Sequence, residues 1–330
     1  MTRPKRHLPG QVVFATRRCT HRRFLLGNDS SELVGYMFGR ALLSSGCVAH
    51  TAIAMSNHVH YVYTDPHGER SKFMQQFHSN LARKRNLQLN RSENFWDSRE
   101  PGDCALLDVE TILQKTLYTA LNAVAAGLVD RVEDWTGFMI LPKHWGRPMR
   151  FSRPPGCGKA MPAFVEFTPE PPPGYAHLGT EHARKLFEKK ISELESKYRK
   201  KRLEGVVGTD YGNDSNRTPT ATAVDHPTNK SELNPRFSCN NKRRAARALE
   251  YQRLFEIAHR ACLTALKKGE SSVVFTAGTL RVNRVMGMKT HQVLVGDPHL
   301  LALVLPRAAA NDNSQEQRRK VMTEENDLRN

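Results

Sequence analysis

Two histidines separated by one residue are the first sign of chemistry in the chain. His58-Val59-His60 lies in the segment Met55-Ser56-Asn57-His58-Val59-His60-Tyr61-Val62-Tyr63. On a strand, residues i and i+2 share a face, so both imidazoles point one way and Val59 points into the opposite layer. Neutral imidazole is the commonest side-chain metal ligand, and such a pair can seed a metal site. The bland alternative is two polar residues on a solvated strand. A second pair, Tyr118 and Asn122, is spaced i, i+4 and shares one helix face. Asn122 offers a carbonyl oxygen to a cation, and Tyr118 offers a phenol. Other tyrosines compete with Tyr118 as a nucleophile. Tyr61 and Tyr63 fall on the pleat face opposite the histidines, and Tyr36 meets Arg40 at i+4. Tyr175, Tyr198 and Tyr211 fall in or near linkers, and Tyr251 lies in the distal region.

The elements that must hold these residues follow from periodicity. Residues 11–18 read as a strand, and 31–43 as a helix capped by Ser30 or Ser31. Residues 48–55 and 58–64 read as two strands joined at Ser56-Asn57. Ser71 is expected to cap a helix whose apolar stripe is Phe73, Phe77 and Leu81. Asp108 is expected to cap another, with Leu113, Leu117, Leu121, Val124 and Leu128 buried and Gly127 near its end. This order predicts an α+β domain over residues 1–150, with an antiparallel central sheet and packed helices.

Beyond it the composition changes. Residues 151–177 hold Pro154, Pro155, Gly156, Gly158 and Pro171-Pro172-Pro173-Gly174, the chemistry of a linker. Residues 178–204 read as a charged amphipathic helix striped by Phe187, Ile191, Leu194 and Tyr198. Residues 205–235 are polar and read as a disordered linker. Residues 236–306 form an accessory, mainly helical C-terminal region. It has a helix over 242–266, with Leu249, Leu254, Ile257, Ala261 and Leu266 inward, a short strand over 272–275 and an apolar run at 300–305. The tail, 307–330, is again polar.

Charge narrows the partners. The 330 residues carry 50 Lys and Arg against 33 Asp and Glu, a formal net charge of +17. Such an excess favours a polyanion, most commonly nucleic acid. Arg17, Arg18, Arg22 and Arg23 follow the first strand, and Lys72, Arg83, Lys84, Arg85 and Arg91 lie on and after the second helix. Both groups could track phosphates, with His78, Phe95 or Trp96 available for base stacking. The six cysteines show no C-x-x-C spacing, which argues against a zinc ribbon and fits a reducing cytosol. No signal peptide or apolar span of membrane length is apparent.

Residues 10–23, Met55-Ser56-Asn57-His58-Val59-His60 and the run from Leu117 to Val129 resemble the REP-associated tyrosine transposases. These belong to the insertion-sequence-200-like, single-tyrosine HUH group. The likeness covers roughly residues 8–145. It implies a ferredoxin-like HUH endonuclease domain, with Tyr118 as nucleophile and His58, His60 and Asn122 as ligands to Mg²⁺ or Mn²⁺. It further implies a single-stranded DNA endonuclease and strand transferase that cleaves hairpin-flanked DNA through a 5′-phosphotyrosine. The expected partner is single-stranded DNA carrying a hairpin or palindromic repeat. The protein would be a monomer or homodimer in a bacterial cytoplasm, associated with the nucleoid. The family's Pro and Arg are Ala123 and Ala125 here. The rival reading is a catalytically impaired, domesticated protein that binds palindromic repeats.

Overall fold

The computed structural model describes residues 4–202, 205–206, 235–279, 282–283 and 286–291. The chain divides into two compact units: Pro9–Ala245, and Met1–Leu8 together with Ala246–Asn330. The strands of the first unit are β1 (Gln11–Arg18), β2 (Val48–Met55), β3 (His58–Asp65), β4 (Gly102–Leu106), β5 (Met139–Ile140), β6 (Met149–Ser152), β7 (Phe164–Phe167) and β8 (Phe237–Ser238). Its helices are α1 (Ser31–Ser45), α2 (Arg70–Gln88), α3 (Val109–Ala120), α4 (Asn122–Ala125), α5 (Pro173–Ala176) and α6 (Thr180–Lys201). Helix α7 (Lys242–Lys267) begins at the end of this unit and continues into the other.

Six strands form one sheet in the order β5-β2-β3-β1-β4-β8. All its pairings are antiparallel except β4 with β8. The α+β class and the antiparallel centre are those the sequence predicts. Alternation along β3 sorts the two faces. Val59, Tyr61 and Tyr63 pack with Phe38 of α1 and Phe73 and Phe77 of α2. Val62, turned the other way, packs with Ile112 of α3. Nearby on that side, Ile53 and Met55 of β2 pack with Leu113 and Leu117 of α3, Val124 of α4, and Phe187 and Ile191 of α6. Each fully buried Phe or Leu contributes about 1.5–3 kcal/mol over an exposed one. The β3 face is therefore strongly specified, since a one-residue slip would turn His58 and His60 into the aromatic layer.

Several expectations need correction. Ser71 is inside α2 and does not cap it. Asp65, at the end of β3, folds over the helix start and accepts from the amides of Glu69 (2.7 Å) and Arg70 (2.9 Å). Asp108 does cap α3, accepting from the Thr111 amide at 2.7 Å. That helix stops at Ala120, and Leu121 sits at φ −89°, ψ 6° before α4 begins at Asn122. Thr119 Oγ1 donates to the Lys115 carbonyl at 2.8 Å, a back-bond that bends helices.

The stretch 151–177 is not a free linker. Strands β6 and β7 pair antiparallel, and the prolines and glycines at 154–158 fall in their connection. Phe151 lies against Gly35, and Phe167 and Val165 lie against Gly39, so α1 approaches this hairpin where it lacks side chains. Helix α6 buries Phe187 and Ile191 as expected, and Ala183 with them. Glu195 is buried beside them and accepts from the Val132 amide at 2.7 Å, while Tyr198 is exposed.

In the other unit, α7 turns Tyr251, Phe255, Ala258 and Cys262 inward. Leu249 is 65% exposed and Ile257 47%, so the expected stripe is rotated. Arg6 lies over the Phe255 ring, 5.8 Å from its centroid, and aromatic anchoring at Phe255 fixes the inward face. Residues 272–275 do not form a strand; among the described residues Phe275 makes an isolated bridge to Thr290. The run 300–305, the tail 307–330 and nearly all of 205–235 lie outside the described residues. All six cysteines are free thiols. Among the described residues no helix is long and apolar enough to cross a membrane.

Candidate active site

The pleat of β3 turns His58 and His60 toward α3, opposite the aromatic layer that buries Val59. Their ring centroids are 4.7 Å apart and the planes nearly perpendicular, at 84°. Register sets Arg18 of β1 opposite His58 and Thr16 opposite His60. From α3, the Tyr118 ring meets His60 edge-on at 5.5 Å. Phe14 of β1 stacks on His60 at 5.6 Å and meets Tyr118 edge-on at 5.9 Å. Lys115, one turn before Tyr118, places Nζ 5.0 Å from the Phe14 centroid and 5.4 Å from that of Tyr118. Tyr118 is 48% exposed, whereas His60 is 8% exposed.

The electrostatics keep both imidazoles neutral at ordinary pH. Burial pushes His58 down to about 4; Arg18 and Arg22 add to this, against a hydrogen bond accepted by the Asn122 side chain that raises it. His60 is held well below its ordinary value by burial, then by His58, Arg18 and Lys115. A neutral imidazole has a lone pair to give a metal. Among the described residues, His60 Nδ1 is buried without a hydrogen-bond partner. An orphaned buried nitrogen of that kind is costly unless something binds it.

Among the described residues no group of three or more His, Cys, Asp or Glu side chains is placed to hold a metal ion. The candidate set His58, His60 and Asn122 instead offers two imidazoles and an amide oxygen, and these residue types fit a divalent cation. All three donors are uncharged, which leaves the charge of such a cation to be matched by an anionic substrate.

The rival tyrosines are placed differently. Tyr61 and Tyr63 are buried in the aromatic layer, and burial holds their phenols well above the ordinary range. Tyr36 is buried and donates to the Pro162 carbonyl at 2.5 Å. Tyr175 packs on Phe187, Tyr251 lies in the other unit, and Tyr211 lies outside the described residues.

The expected cationic tracks divide. Arg18 and Arg22 lie close enough to act electrically on His58. Arg17 donates to the carbonyls of Asp97 and Arg99, each at 3.1 Å. Arg23 pairs with Glu93 at 3.3 Å. Lys72 and Arg83 are exposed on α2, and Lys84 reaches the Gly156 carbonyl at 3.1 Å. Arg85 leaves the set: it is buried, forks onto both Asp29 oxygens at 2.7 Å and bonds the Leu25 carbonyl. Arg91 also leaves it, since its largely buried guanidinium pairs with Glu93 at 2.6 Å. The expected stackers are core residues. Trp96 donates to the His78 carbonyl, His78 meets the Tyr61 hydroxyl at 3.0 Å, and Phe95 is buried beside them.

Sequence reading missed Phe14, Lys115 and the contacts of Asn57. Lys115 carried a signal, standing three residues before Tyr118 on its helix face. A cavity of about 700 Å³ opens beside Phe14 and Lys115, lined also by Arg17, Arg18 and Arg99.

No protein-family model and no curated protein matches this sequence. Among solved structures, a REP-associated tyrosine transposase bound to a REP hairpin matches with TM-score 0.38 and 17% identity, over 44% of this chain and 85% of that one. At that distance the functional reading rests on the residues of the site itself.

Proposed function

We propose that this chain is a divalent-metal-dependent, single-stranded DNA endonuclease and strand transferase that cleaves hairpin-flanked DNA through Tyr118. The observation that carries this reading is an exposed phenol edge-on to one of two neutral imidazoles, with Lys115 and Arg18 beside them. His58, His60 and Asn122 would hold Mg²⁺ or Mn²⁺, which supplies Lewis-acid stabilisation of charge on the scissile phosphate.

The remaining chemistry belongs to the chain. The Tyr118 oxygen attacks phosphorus, a Tyr118–phosphate ester forms, and the bond from phosphorus to the 3′ oxygen breaks. The phenol proton passes to water, which reaches a half-exposed side chain, and the departing 3′ oxygen takes up a proton. The downstream strand then hangs from Tyr118 by its 5′ phosphate. A 3′-hydroxyl of another strand reverses the exchange and releases the phenol, with no external energy source. Lys115 and Arg18 offset phosphate charge, while Lys72 and Arg83 on α2 offer phosphate contacts farther along the strand.

Incubating the protein with single-stranded hairpin DNA, with Mn²⁺ or with chelator, tests the reading. It predicts cleavage only with the metal. Binding without cleavage under any divalent ion would favour a protein that binds the repeat without cutting it.

A further inference from the structure

We infer that Asn57 is a positioning residue that sets the tautomer of His58. It holds a proton on Nδ1 and leaves the Nε2 lone pair as the donor. The inference deepens the reading of His58 as a ligand and rests on it only for its metal-binding consequence.

Asn57 lies in the two-residue connection between β2 and β3, and its carbonyl accepts from the Cys19 amide at 2.8 Å. Its side-chain Nδ2 donates to the Arg22 carbonyl at 3.2 Å. Its Oδ1 lies 2.6 Å from His58 Nδ1. The two ends of an amide are hard to tell apart by shape alone, but a backbone carbonyl only accepts. The end facing Arg22 is therefore the NH₂, and the end facing His58 is the oxygen. An oxygen acceptor at that distance requires a proton on Nδ1. A neutral imidazole has one such proton, for which Asn57 competes with the Asn122 side chain; with the proton held on Nδ1, Nε2 keeps its lone pair.

The Arg22 carbonyl is itself held in place. His21 and Arg22 both sit at positive φ, 48° and 52°, a region that side chains rarely adopt. Their turn is closed by Arg22 N to Cys19 O at 3.1 Å and Arg23 N to Thr20 O at 3.0 Å. Consecutive non-glycine residues in that region persist only where surrounding bonds over-determine them. Here the turn after β1 aims a carbonyl at Asn57, and Asn57 aims an oxygen at His58. Outer partners of this kind orient a ligating imidazole and raise its basicity.

The test compares the full-length chain with Asn57→Ala and Asn57→Asp. Long-range proton–nitrogen spectra of the metal-free proteins read the His58 tautomer, assigned with His58→Gln. Calorimetry with Mn²⁺ alone reads affinity. A carboxylate still accepts from Nδ1 but cannot donate to Arg22. Asn57→Asp should therefore keep the wild-type tautomer and affinity, while Asn57→Ala should mix the tautomers and weaken Mn²⁺ by about 10–100-fold. A purely structural Asn57 would show the reverse grouping, with both variants alike. Wild-type His58 protonated on Nε2, or an alanine variant with unchanged tautomer, overturns the inference. If the tautomers behave as stated and wild type takes up no Mn²⁺, the positioning role stands and the metal reading of the site falls.

Discussion

Tyr118 meets His60 edge to face, with ring centroids 5.5 Å apart. The histidine comes from a central strand and the tyrosine from a helix laid across the sheet. Phe14 joins them, parallel to one ring and edge-on to the other. Such aromatic contacts contribute about 0.5–1.5 kcal/mol each beyond burial. They fix the candidate nucleophile and candidate ligand relative to each other before any substrate arrives, a geometry that would lower the entropic cost of a displacement.

Removal of either imidazole should abolish metal uptake. His58→Ala and His60→Ala are expected to show no Mn²⁺ heat in calorimetry while binding hairpin DNA as tightly as wild type. Retained Mn²⁺ binding in both variants would mean that the metal sits elsewhere.

The cations should separate into two groups by their response to salt. Lys72→Ala and Arg83→Ala should each reduce the slope of log affinity against log salt by about 1, leaving the melting temperature unchanged. Arg85→Ala should do the opposite. Its guanidinium is buried but its partner Asp29 is mostly exposed, so the loss is about 2 kcal/mol of stability rather than the 3–5 kcal/mol of a fully buried pair. Its salt slope should match wild type. Measuring both quantities on all three variants checks the division.

Acid should destabilise the first unit through its buried histidines. Burial pushes His50 down to about 4 and His78 to about 3. Both are neutral in the fold, while the unfolded chain binds a proton below about 6.5. Stability is therefore whole above that value and falls as the pH drops from about 6.5 toward 4. Each histidine contributes up to about 1.4 kcal/mol per pH unit across that window. His50→Gln should flatten the decline in urea melts between pH 7 and 4. A wild-type stability constant across that range would contradict the account.

The hairpin of β6 and β7 should be part of the folding unit. Phe167 is buried in the same cluster as Phe38 and Tyr61. Phe167→Ala should cost about 3 kcal/mol within a single cooperative transition. A linker residue would cost nothing, and circular dichroism during chemical unfolding distinguishes the two.

The parts of the fold visible in the sequence were those with strong local signals. Strands β1 to β3 are rich in β-branched and aromatic residues, and Asp108 announces its helix. The face shared by His58 and His60 followed from the pleat alone. What was hidden depends on contacts distant in sequence. Arg85 and Arg83 look alike along the chain, and only Asp29 and the Leu25 carbonyl bury one of them. Phe95 and Trp96 read as surface stackers because the fold over α2 that covers them has no local signature. The prolines and glycines after 151 mark a turn as readily as a linker, and the glycines of α1 that receive the hairpin lie far upstream. Phe14 joins the site through strand register, which composition does not reveal.

The central claim is that Tyr118 is the nucleophile, and a covalent-adduct assay tests it most directly. Wild type and Tyr118→Phe are incubated with 3′-labelled hairpin DNA and Mn²⁺, then run on a denaturing gel. The phenylalanine keeps the ring against His60 and Phe14 and removes only the hydroxyl, so folding and DNA binding should persist. Wild type should carry the downstream label with the protein, and Tyr118→Phe should show neither adduct nor cleavage. A labelled adduct that persists in Tyr118→Phe would contradict the account.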